Sequence, residues 1–338
     1  MDEEKLQPGK LPLPLLEVLL KEHAWTGESV IVGPAIGEDA AVVKVDEKLI
    51  VLTSDPITFV ADDMGLWSLA INANDIAVMG AVPKWFLATV LLPEGEATES
   101  MAKQIVGGLG ERCKRVGISL CGGHTEITDA VTRPVICGHM VGEVGPSGII
   151  KSSGARPGNL LILTKGIAIE GTAVLAREAG ARLSRLGEKF CRTASSFVLD
   201  PGISIVQEAT IAASFEGVTA MHDPTEGGLS TALYELAKAS KTGVEIYPEA
   251  VHIYPETELI CDELGIDPMG LLASGALLVA VEGEGAKPLC ERMRGEGIDA
   301  TVIGRITGET GNLVVIEGES RKSLKRFERD EVAKALYS

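Results

Sequence analysis

Acidic side chains stand beside glycines and other small residues at four places in this sequence. The first is the segment GPAIGEDAA at 33–41, where Gly37 precedes Glu38 and Asp39. A glycine loop can lay backbone N–H groups along a phosphate, and paired acids can bind a cation. The same residues would also suit an ordinary acidic turn before a strand. This segment alone therefore does not distinguish a phosphate and metal site from an acidic turn, and the other acids of the chain have to be considered with it.

Two further acids follow along the chain. Asp55 ends an apolar strand predicted at 49–54, and ligands in α/β proteins gather beyond the carboxyl ends of strands. Asn72 and Asp75 are three residues apart on a predicted helix, so they share one face. Because polar groups on an otherwise apolar helix need a partner, this pair indicates either a ligand site or a structural hydrogen bond.

The fourth acidic segment is HDPTEGGL at 222–229, directly before a predicted helix. Asp223, Thr225 and Glu226 are of the types that cap a helix, and they also place free backbone N–H groups where an anion could bind. Oxygen ligands from several loops suit Mg²⁺, which keeps some of its waters and bridges phosphates. The four segments together predict a Mg-ATP site without a P-loop, because no GxxxxGKS or GxxxxGKT motif is present.

Two cysteines and two histidines could indicate a different kind of metal site. Cys121, His124, Cys137 and His139 fall on neighbouring predicted strands, in a pattern that a zinc ion could use. Known zinc signatures place their ligand pairs on turns with other spacings, and His139 lies inside an apolar strand. We therefore favour the interpretation without zinc, in which the six cysteines are reduced, buried thiols of an intracellular protein.

The composition limits the classes of partner. With 45% hydrophobic and 23% charged residues the chain is globular, and its formal charge of −17 without a basic patch argues against a nucleic-acid partner. The longest apolar run, near 271–281, is shorter than the ~18 residues that a membrane span needs. The start of the chain does not resemble a signal peptide. We therefore expect a cytoplasmic protein outside the membrane.

Strands and helices alternate along the chain, and some strands come in adjacent pairs, which predicts an α/β protein with mixed sheets. The 338 residues suit two domains of about 150 residues each, and the polar, glycine-rich segment 145–159 divides them into 1–150 and 151–338. The predicted helices include a short one before residue 25 and those at 64–79, 98–116, 171–179, 201–214, 228–240 and 288–295. The predicted strands include 40–44, 49–54, 85–92, 118–121, 135–144, 160–164, 217–221, 244–246 and 277–281.

Taken in order, five segments of the chain resemble the PurM-like superfamily. That superfamily includes aminoimidazole ribonucleotide (AIR) synthetase, selenophosphate synthetase, thiamine-monophosphate kinase and the hydrogenase-maturation protein HypE. The segments are IGEDAAVV, TSDP, NANDIAVMGAVP, GGHTE and DPTEGGL, and they extend over most of the chain. The ordered set is more specific than any single member. The similarity is closest to HypE, and it continues through SGARPGN and LGIDPMGLLASGALLVAV.

The resemblance implies two α/β domains, with the first domains of a homodimer pairing into a β-barrel and ATP bound at the interface. It assigns the binding of Mg²⁺ to three acids, namely Asp39, Asp55 and Asp75. It implies that ATP lies against Gly37, Glu38, Asn72, His124 and Thr125. It places three residues of the second domain at the catalytic rim, namely Asp223, Thr225 and Glu226.

Three departures separate this chain from HypE. HypE ends in a cysteine that carries a carbamoyl group, whereas this sequence ends at Ser338, and Cys290 lies well upstream on a predicted helix. Glu226 stands where HypE tends to have arginine, and His124 replaces an acid. Neutral histidine is a poor Mg²⁺ ligand, so either one metal site is reduced or Glu126 substitutes. Because a serine hydroxyl is a weaker nucleophile than a thiolate, we expect that this chain does not complete the HypE reaction on itself.

These observations predict a Mg-ATP-dependent enzyme that activates an amide or acid oxygen by phosphoryl transfer. One alternative is a small-molecule kinase resembling thiamine-monophosphate kinase, since those kinases carry an acid at the position of Glu226. Another is a non-catalytic ATP-binding partner in hydrogenase maturation, although such a partner would have no need of three retained acids. The acceptor and any maturation partner stay open.

Overall fold

The chain folds into two mixed β-sheets flanked by helices, in the computed structural model, which describes residues 6, 8–60 and 62–337. The strands of the first sheet are β1 Val30–Val32, β2 Ala41–Val45, β3 Lys48–Ile57, β4 Ala81–Pro93, β5 Ser119–Thr128 and β6 Val135–Val144. Those of the second are β7 Leu160–Thr164, β8 Val218–His222, β9 Gly243–Ile246, β10 Leu278–Val281, β11 Ala300–Thr307, β12 Leu313–Glu317 and β13 Ser320–Ser323. The helices are α1 Leu13–His23, α2 Met64–Val78, α3 Glu99–Val116, α4 Ile169–Glu178, α5 Glu188–Ser195, α6 Val206–Ala213, α7 Gly228–Ser240, α8 Pro255–Leu264, α9 Gly283–Gly295 and α10 Glu331–Tyr337.

Both sheets mix parallel and antiparallel pairs. The first has the order β1-β2-β3-β6-β4-β5, and the second has the order β13-β12-β9-β11-β7-β10-β8. The pairs β4–β5 and β9–β12 are parallel, and the other described pairs are antiparallel. The mixed α/β class is therefore confirmed. A barrel shared between two copies, and a domain division at residue 150, stay predictions.

Most predicted elements are present, but several differ in their bounds. Strand β4 begins at Ala81 instead of Trp85, and helix α9 begins at Gly283 instead of Pro288. Strand β5 does not end near residue 121 but continues to Thr128, so the GGHTE segment lies within a strand. It can do so because Gly123 lets β4 approach closely, as a Cβ there would lie 1.9 Å from Ala88 O. The helix predicted at 201–214 begins only at Val206, because Gly202 has φ +89° in the left-handed region.

Helix α2 is buried almost throughout and lies against β3 and β6. Its apolar side chains, with Trp67 and Ile76 among the most buried, join the core of the first sheet. Two glycines of β6 make the close packing possible. A Cβ at Gly138 would lie 2.4 Å from Asn72 Nδ2, and one at Gly142 would lie 2.3 Å from Ile76. This packing sets the distance between α2 and the end of β3.

The two halves of the chain share one buried apolar cluster, which includes Val42 of the first sheet and Leu278 of the second. Asn74 of α2 adds a polar link, because it donates to Ile203 O and accepts the N–H of Ile205, both at 2.9 Å. Within the described ranges, no helix combines the length and apolarity that crossing a membrane requires.

The cysteines differ from the expectation that all are buried. All six are free, but Cys121 is exposed and Cys137 and Cys191 are half-buried. Cys290 is buried in the core, as expected for a residue on that helix. Ser338, at the end of the sequence, lies outside the described residues.

Candidate active site

A cavity of about 720 Å³ lies where residues of both halves of the chain meet. Its walls come from the segment before α1, the loop between β1 and β2, the end of β3, helices α2 and α4, and the start of α7. Segments that are far apart in the sequence are thus neighbours here. Seven predicted site residues line the cavity: Gly37, Glu38, Asp39, Asp55, Asp75, Thr225 and Glu226.

Strand β3 and helix α2 together hold a pair of acids. Thr53 donates its hydroxyl to Asp75 at 2.7 Å, and the same hydroxyl lies 3.2 Å from Asp55 Oδ2. Asn72 accepts the backbone N–H of Asp55 at 3.1 Å and donates to Ser68 O at 2.9 Å. Asn72 thus fits the structural interpretation, because it fixes the backbone of Asp55 and lies outside the cavity lining.

Burial and mutual repulsion favour the protonated form of two acids. Burial, followed by the charge of Asp55, raises the pKa of Asp75 well above its usual value. Asp223 directly after β8 is also buried, and burial, followed by the charge of Asp39, raises its pKa. Neither carboxyl oxygen of Asp223 has a hydrogen-bond partner among the described residues. A bound cation would relieve both the repulsion and the missing contacts.

The glycine loop is fixed by close contact with α7. Gly37 has φ +84°, and a Cβ there would lie 2.6 Å from Glu235 O, so the position requires glycine. Glu38 accepts the N–H of Ser153 at 3.2 Å through Oε1, whereas its buried Oε2 has no partner within the described chain. The loop therefore holds Glu38 and Asp39 at the wall of the cavity.

A buried histidine joins the acids of the two halves. His222 lies 2.9 Å from Asp39 through Nδ1 and 3.3 Å from Glu235 through Nε2. Burial would lower the pKa of His222, but the two carboxylates outweigh burial and raise the pKa to about 10. His222 is therefore a cation at neutral pH, and it balances part of the negative charge of the site.

A lysine before α1 adds a second cation. Lys10 Nζ lies 3.0 Å from Glu235 Oε1, and the backbone N–H of Lys10 donates to Glu226 at 2.8 Å. Burial would raise the pKa of Glu235, but His222 and Lys10 lower it to about 2. The charges therefore alternate in sign along the four side chains Asp39, His222, Glu235 and Lys10.

The start of α7 presents Thr225 and Glu226 to the cavity without using them as caps. Gly227 is the N-cap residue, with φ +81°, and no side chain caps this helix. The N–H of Gly227 donates instead to the carboxylate of Asp330. The capping interpretation is therefore wrong for this segment. Thr225 and Glu226 both line the cavity, and Glu226 accepts the backbone N–H of Lys10 there.

His124 and Thr125 lie on the outer edge of the first sheet. Both are exposed on β5, and His124 Nε2 lies 3.1 Å from Glu126 Oε2. Because β6 and β4 lie between β5 and β3, three strand spacings, roughly 14 Å, separate these residues from Asp55. A single chain therefore does not bring His124 and Thr125 to the acids.

The acids surround the cavity openly and do not form a closed metal cage. Among residues 6, 8–60 and 62–337, no three His, Cys, Asp or Glu side chains converge closely enough to hold a metal by themselves. This holds also for Cys121, His124, Cys137 and His139, the pattern considered for zinc. An open set of oxygen ligands does suit Mg²⁺, which is usually bound by one or two carboxylates together with waters and phosphates.

The fold and the cavity define the class of protein: two mixed α/β sheets with acids from both halves at one site, as in the PurM-like fold. The family comparison is specific. Residues 37–144 match the N-terminal domain of AIR synthase related proteins, and residues 156–316 match their C-terminal domain. The chain therefore belongs to the AIR synthase related family.

Relatives in this family carry hydrogenase-maturation names. A protein of Methanocaldococcus jannaschii described as a hydrogenase expression/formation protein is 31% identical over 315 residues, which cover 91% of each chain. The carbamoyl dehydratase HypE of Rhodobacter capsulatus is 30% identical over 258 residues, covering 75% of this chain and 73% of the relative. The predicted resemblance to HypE is thus confirmed.

Solved structures share the fold. A chain of a HypE–HypF complex superposes with a TM-score of 0.73 at 24% identity, covering 93% of this chain and 99% of that one. AaThiL complexed with AMPPCP and TMP gives 0.71 at 21% identity, covering 97% and 100%. HypE in complex with ATP gives 0.67 at 21% identity, covering 96% and 92%. These likenesses confirm the PurM-like fold.

Three charged residues of the site were not predicted from the sequence, namely Lys10, His222 and Glu235. Their contacts join residues that are 183 and 225 positions apart for the pairs His222–Asp39 and Lys10–Glu235. His222 directly precedes the DPTEGGL segment, and this position next to candidate residues was the one sequence feature that could have indicated its role in the site. Nothing in the local pattern around Lys10 indicates a site.

Proposed function

We propose that this protein is a Mg-ATP-dependent enzyme that activates an amide or acid oxygen by phosphoryl transfer. The observation that carries the proposal is the meeting of Asp39, Asp55 and Asp75 at one cavity, next to the unpartnered carboxyl group of Asp223. Several acids that converge on one cavity favour a bound divalent metal. When bound, Mg-ATP supplies a transferable phosphoryl group whose charge the metal neutralises.

Different residues of the chain would bind the metal, bind the phosphates and orient these groups. Asp39, Asp55 and Asp75 would bind the metal, and the loop at Gly37 would lay its N–H groups along the phosphates. Lys10, near the cavity mouth and 43% exposed, is free enough to exchange its contact with Glu235 for a phosphate oxygen. His222 would orient Asp39, because the two side chains lie 2.9 Å apart as a buried pair.

The name of one relative and the ligand of one solved structure support this proposal. One is named a carbamoyl dehydratase, so its name refers to an amide-like group, and a solved HypE structure contains ATP. The HypE–HypF complex supports a maturation partner for this chain as well. We propose that ATP and an acceptor meet in the cavity, with Asp223, Thr225 and Glu226 on the acceptor side.

A small-molecule kinase is the second candidate, and one residue favours it. Glu226 lines the cavity with an acid, and the AaThiL structure was solved with AMPPCP and TMP, an ATP analogue and a phosphate ester. A kinase would transfer the phosphoryl group to a phosphate or hydroxyl acceptor and release a stable product. An amide-activating enzyme would instead release phosphate when its amide is present.

The test combines binding and turnover. Titration calorimetry with a non-hydrolysable ATP analogue, with and without Mg²⁺, should show Mg-dependent binding that Asp75→Asn weakens at least tenfold. The matched control is Glu99→Gln, an exposed acid at the start of α3. Equal affinity in Asp75→Asn and wild type would remove Asp75 from the site.

Turnover then separates the candidates. ATP consumption stimulated by amides, with release of phosphate, supports the proposal, whereas a phosphorylated product supports the kinase. Binding without turnover of any acceptor, even with a HypF-type partner added, would support a non-catalytic role.

A further inference from the structure

A second cavity, of about 750 Å³, also borders the segment before α1. Its other walls come from the start of α7 and from the segment 326–330, which directly precedes α10. The walls of both cavities include Pro8, Gly9, Lys10, Leu13 and Glu226. None of the three acids proposed to bind the metal lines the second cavity. A ligand bound here would therefore be separate from Mg-ATP but would contact the same short segment.

Two arginines line this second cavity without a carboxylate partner in the described chain. The guanidinium carbon of Arg326 lies 5.8 Å from the ring centre of Tyr234, and Arg329 donates to a backbone carbonyl at 3.0 Å. The nearby lysines Lys325 and Lys334 are both paired with carboxylates. A guanidinium group binds a carboxylate through two parallel hydrogen bonds, and stacking on an aromatic ring holds it in place. The two arginines therefore favour an anionic ligand.

The carboxyl groups at this cavity are engaged or exposed. Asp330 is 5% exposed and accepts three backbone N–H groups with its two oxygens. Burial raises the pKa of Asp330 to about 7, so at neutral pH part of the population is uncharged. Glu226 accepts the backbone N–H of Lys10, and Glu328 is exposed and can turn towards water. These acids therefore leave both guanidinium groups available to a ligand.

The remaining surface of the second cavity is largely apolar. Leu6 and Leu11 line it and are 61% and 39% exposed, and Pro12, Pro14 and Phe327 lie beside them. Covering exposed apolar surface is favourable by about 25 cal/mol per Å². The cavity thus combines two cationic groups with a surface that suits the apolar part of a ligand.

The segment before α1 is held to the rest of the chain by few contacts. Of the described residues 6 and 8–12, only Lys10 hydrogen-bonds to described residues beyond α1. Its partners are Glu226 through the backbone N–H and Glu235 through Nζ. A segment with so few contacts opens locally at little cost. A ligand that packs against Leu11 would restrict the segment and keep Lys10 beside the first cavity.

We propose that the second cavity is an effector site for a carboxylate carried on an apolar body, and that its ligand strengthens Mg-ATP binding. Arg326 and Arg329 bind the carboxylate, and the apolar body covers Leu11 and Pro12. Because the bound ligand already orders Lys10, less conformational freedom is lost when ATP binds. The coupling is reciprocal, so Mg-ATP strengthens binding of the carboxylate by the same factor. The coupling rests on the ATP-dependent function proposed above, whereas binding of the carboxylate does not.

Phenylacetate is the probe, and phenylacetamide and phenethylamine are its neutral and cationic counterparts of similar shape. Each would be titrated into the full-length protein and followed by saturation-transfer NMR. Phenylacetate should bind most tightly, and Arg326→Gln should weaken it at least about fivefold. Arg326→Lys, which keeps the charge but not the planar fork, should lose less.

A Mg-ATP analogue separates the two cavities. At saturation it should not displace phenylacetate, and phenylacetate should raise the affinity for the analogue about 3- to 10-fold in titration calorimetry. Lys10→Gln should still bind phenylacetate but should lose this coupling. The matched control is Arg185→Gln, because the side chain of Arg185 is 84% exposed and lines neither cavity. It should leave both the phenylacetate affinity and the coupling unchanged.

The contrary results are distinct. Equal affinity for phenylacetamide and phenylacetate, or undiminished binding of phenylacetate to Arg326→Gln, would overturn the site. Displacement of phenylacetate by the Mg-ATP analogue would assign the probe to the first cavity and would do the same. Phenylacetate binding that left the affinity for the analogue unchanged would overturn the coupling. If Asp75→Asn kept full ATP affinity while the phenylacetate results held, the proposed function would fail and the effector site would stand.

Discussion

At the scale of single residues, the site contains two kinds of carboxyl group. Asp39 and Glu235 are paired with the buried cation His222, and this pairing contributes to the lowered pKa of Glu235. Asp75, Asp223 and Glu170 are buried, and burial is the main cause that raises the pKa of each. The first kind fixes the geometry of the site, and the second kind makes the site receptive to a ligand.

The raised pKa of Glu170 predicts a pH-dependent stability. Its pKa is about 8 in the folded protein and near 4.5 when unfolded, so the folded state binds more protons between these values. The resulting stabilisation of the folded state is complete below the unfolded pKa of 4.5, and it is lost as the pH rises through the folded pKa of about 8. Between pH 6 and pH 9, wild type should lose about 2–3 kcal/mol more stability than Glu170→Gln, which does not titrate there. Urea unfolding of both proteins at the two pH values measures the difference, and parallel curves would contradict the raised pKa.

At the scale of elements, helix α2 and strand β6 decide where the acids of α2 lie. Gly138 has no side chain, so α2 can pack closely against the sheet. At this distance Asn72 accepts the backbone N–H of Asp55. The geometry of Asp55 and Asp75 therefore depends on a glycine that has no polar function of its own.

This dependence can be tested with Gly138→Ala. The added Cβ would lie 2.4 Å from Asn72 Nδ2 and 2.7 Å from Ser68 Oγ, so α2 must shift away from β6. We expect a loss of about 1–3 kcal/mol in the free energy of unfolding, together with weaker Mg-ATP binding. Gly107→Ala in α3 is the control, since nothing lies within 4 Å of its Cβ and alanine favours a helix. Unchanged Mg-ATP affinity in a destabilised Gly138→Ala would separate the packing from the site.

The sequence predicts elements well where a single local pattern dominates. The bounds of α7 and β6 agree with their predictions because apolar spacing and flanking glycines mark them clearly. The acids at 39, 55, 75 and 223 could be proposed from the sequence because each lies beside small residues near a strand edge or on an apolar helix. The ion pairs through His222 and Lys10 could not be proposed, because they depend on contacts between segments far apart in the chain.

At the scale of the whole molecule, the outer edge of β5 has no partner strand within the described part of one chain. It is the last strand of the first sheet, its residues from Ser119 to Ile127 are all exposed, and no described strand pairs with its outer side. Leu120 and Ile127, at 38% and 64% exposure, add apolar surface to this edge. Open edges of this kind pair readily with another chain.

We therefore predict a homodimer formed through β5 of the first sheet. Pairing would cover the open edge and bring His124 and Thr125 to an interface, where they could reach ATP although one chain alone holds them away from the acids. Sedimentation equilibrium at micromolar concentration should give twice the chain mass of 35.5 kDa. Ile127→Glu should shift the equilibrium to monomer, whereas Trp25→Glu, at an 88% exposed apolar residue away from β5, should not. A wild-type protein that sediments as a monomer, or a dimer that Ile127→Glu leaves intact, would rule out this interface.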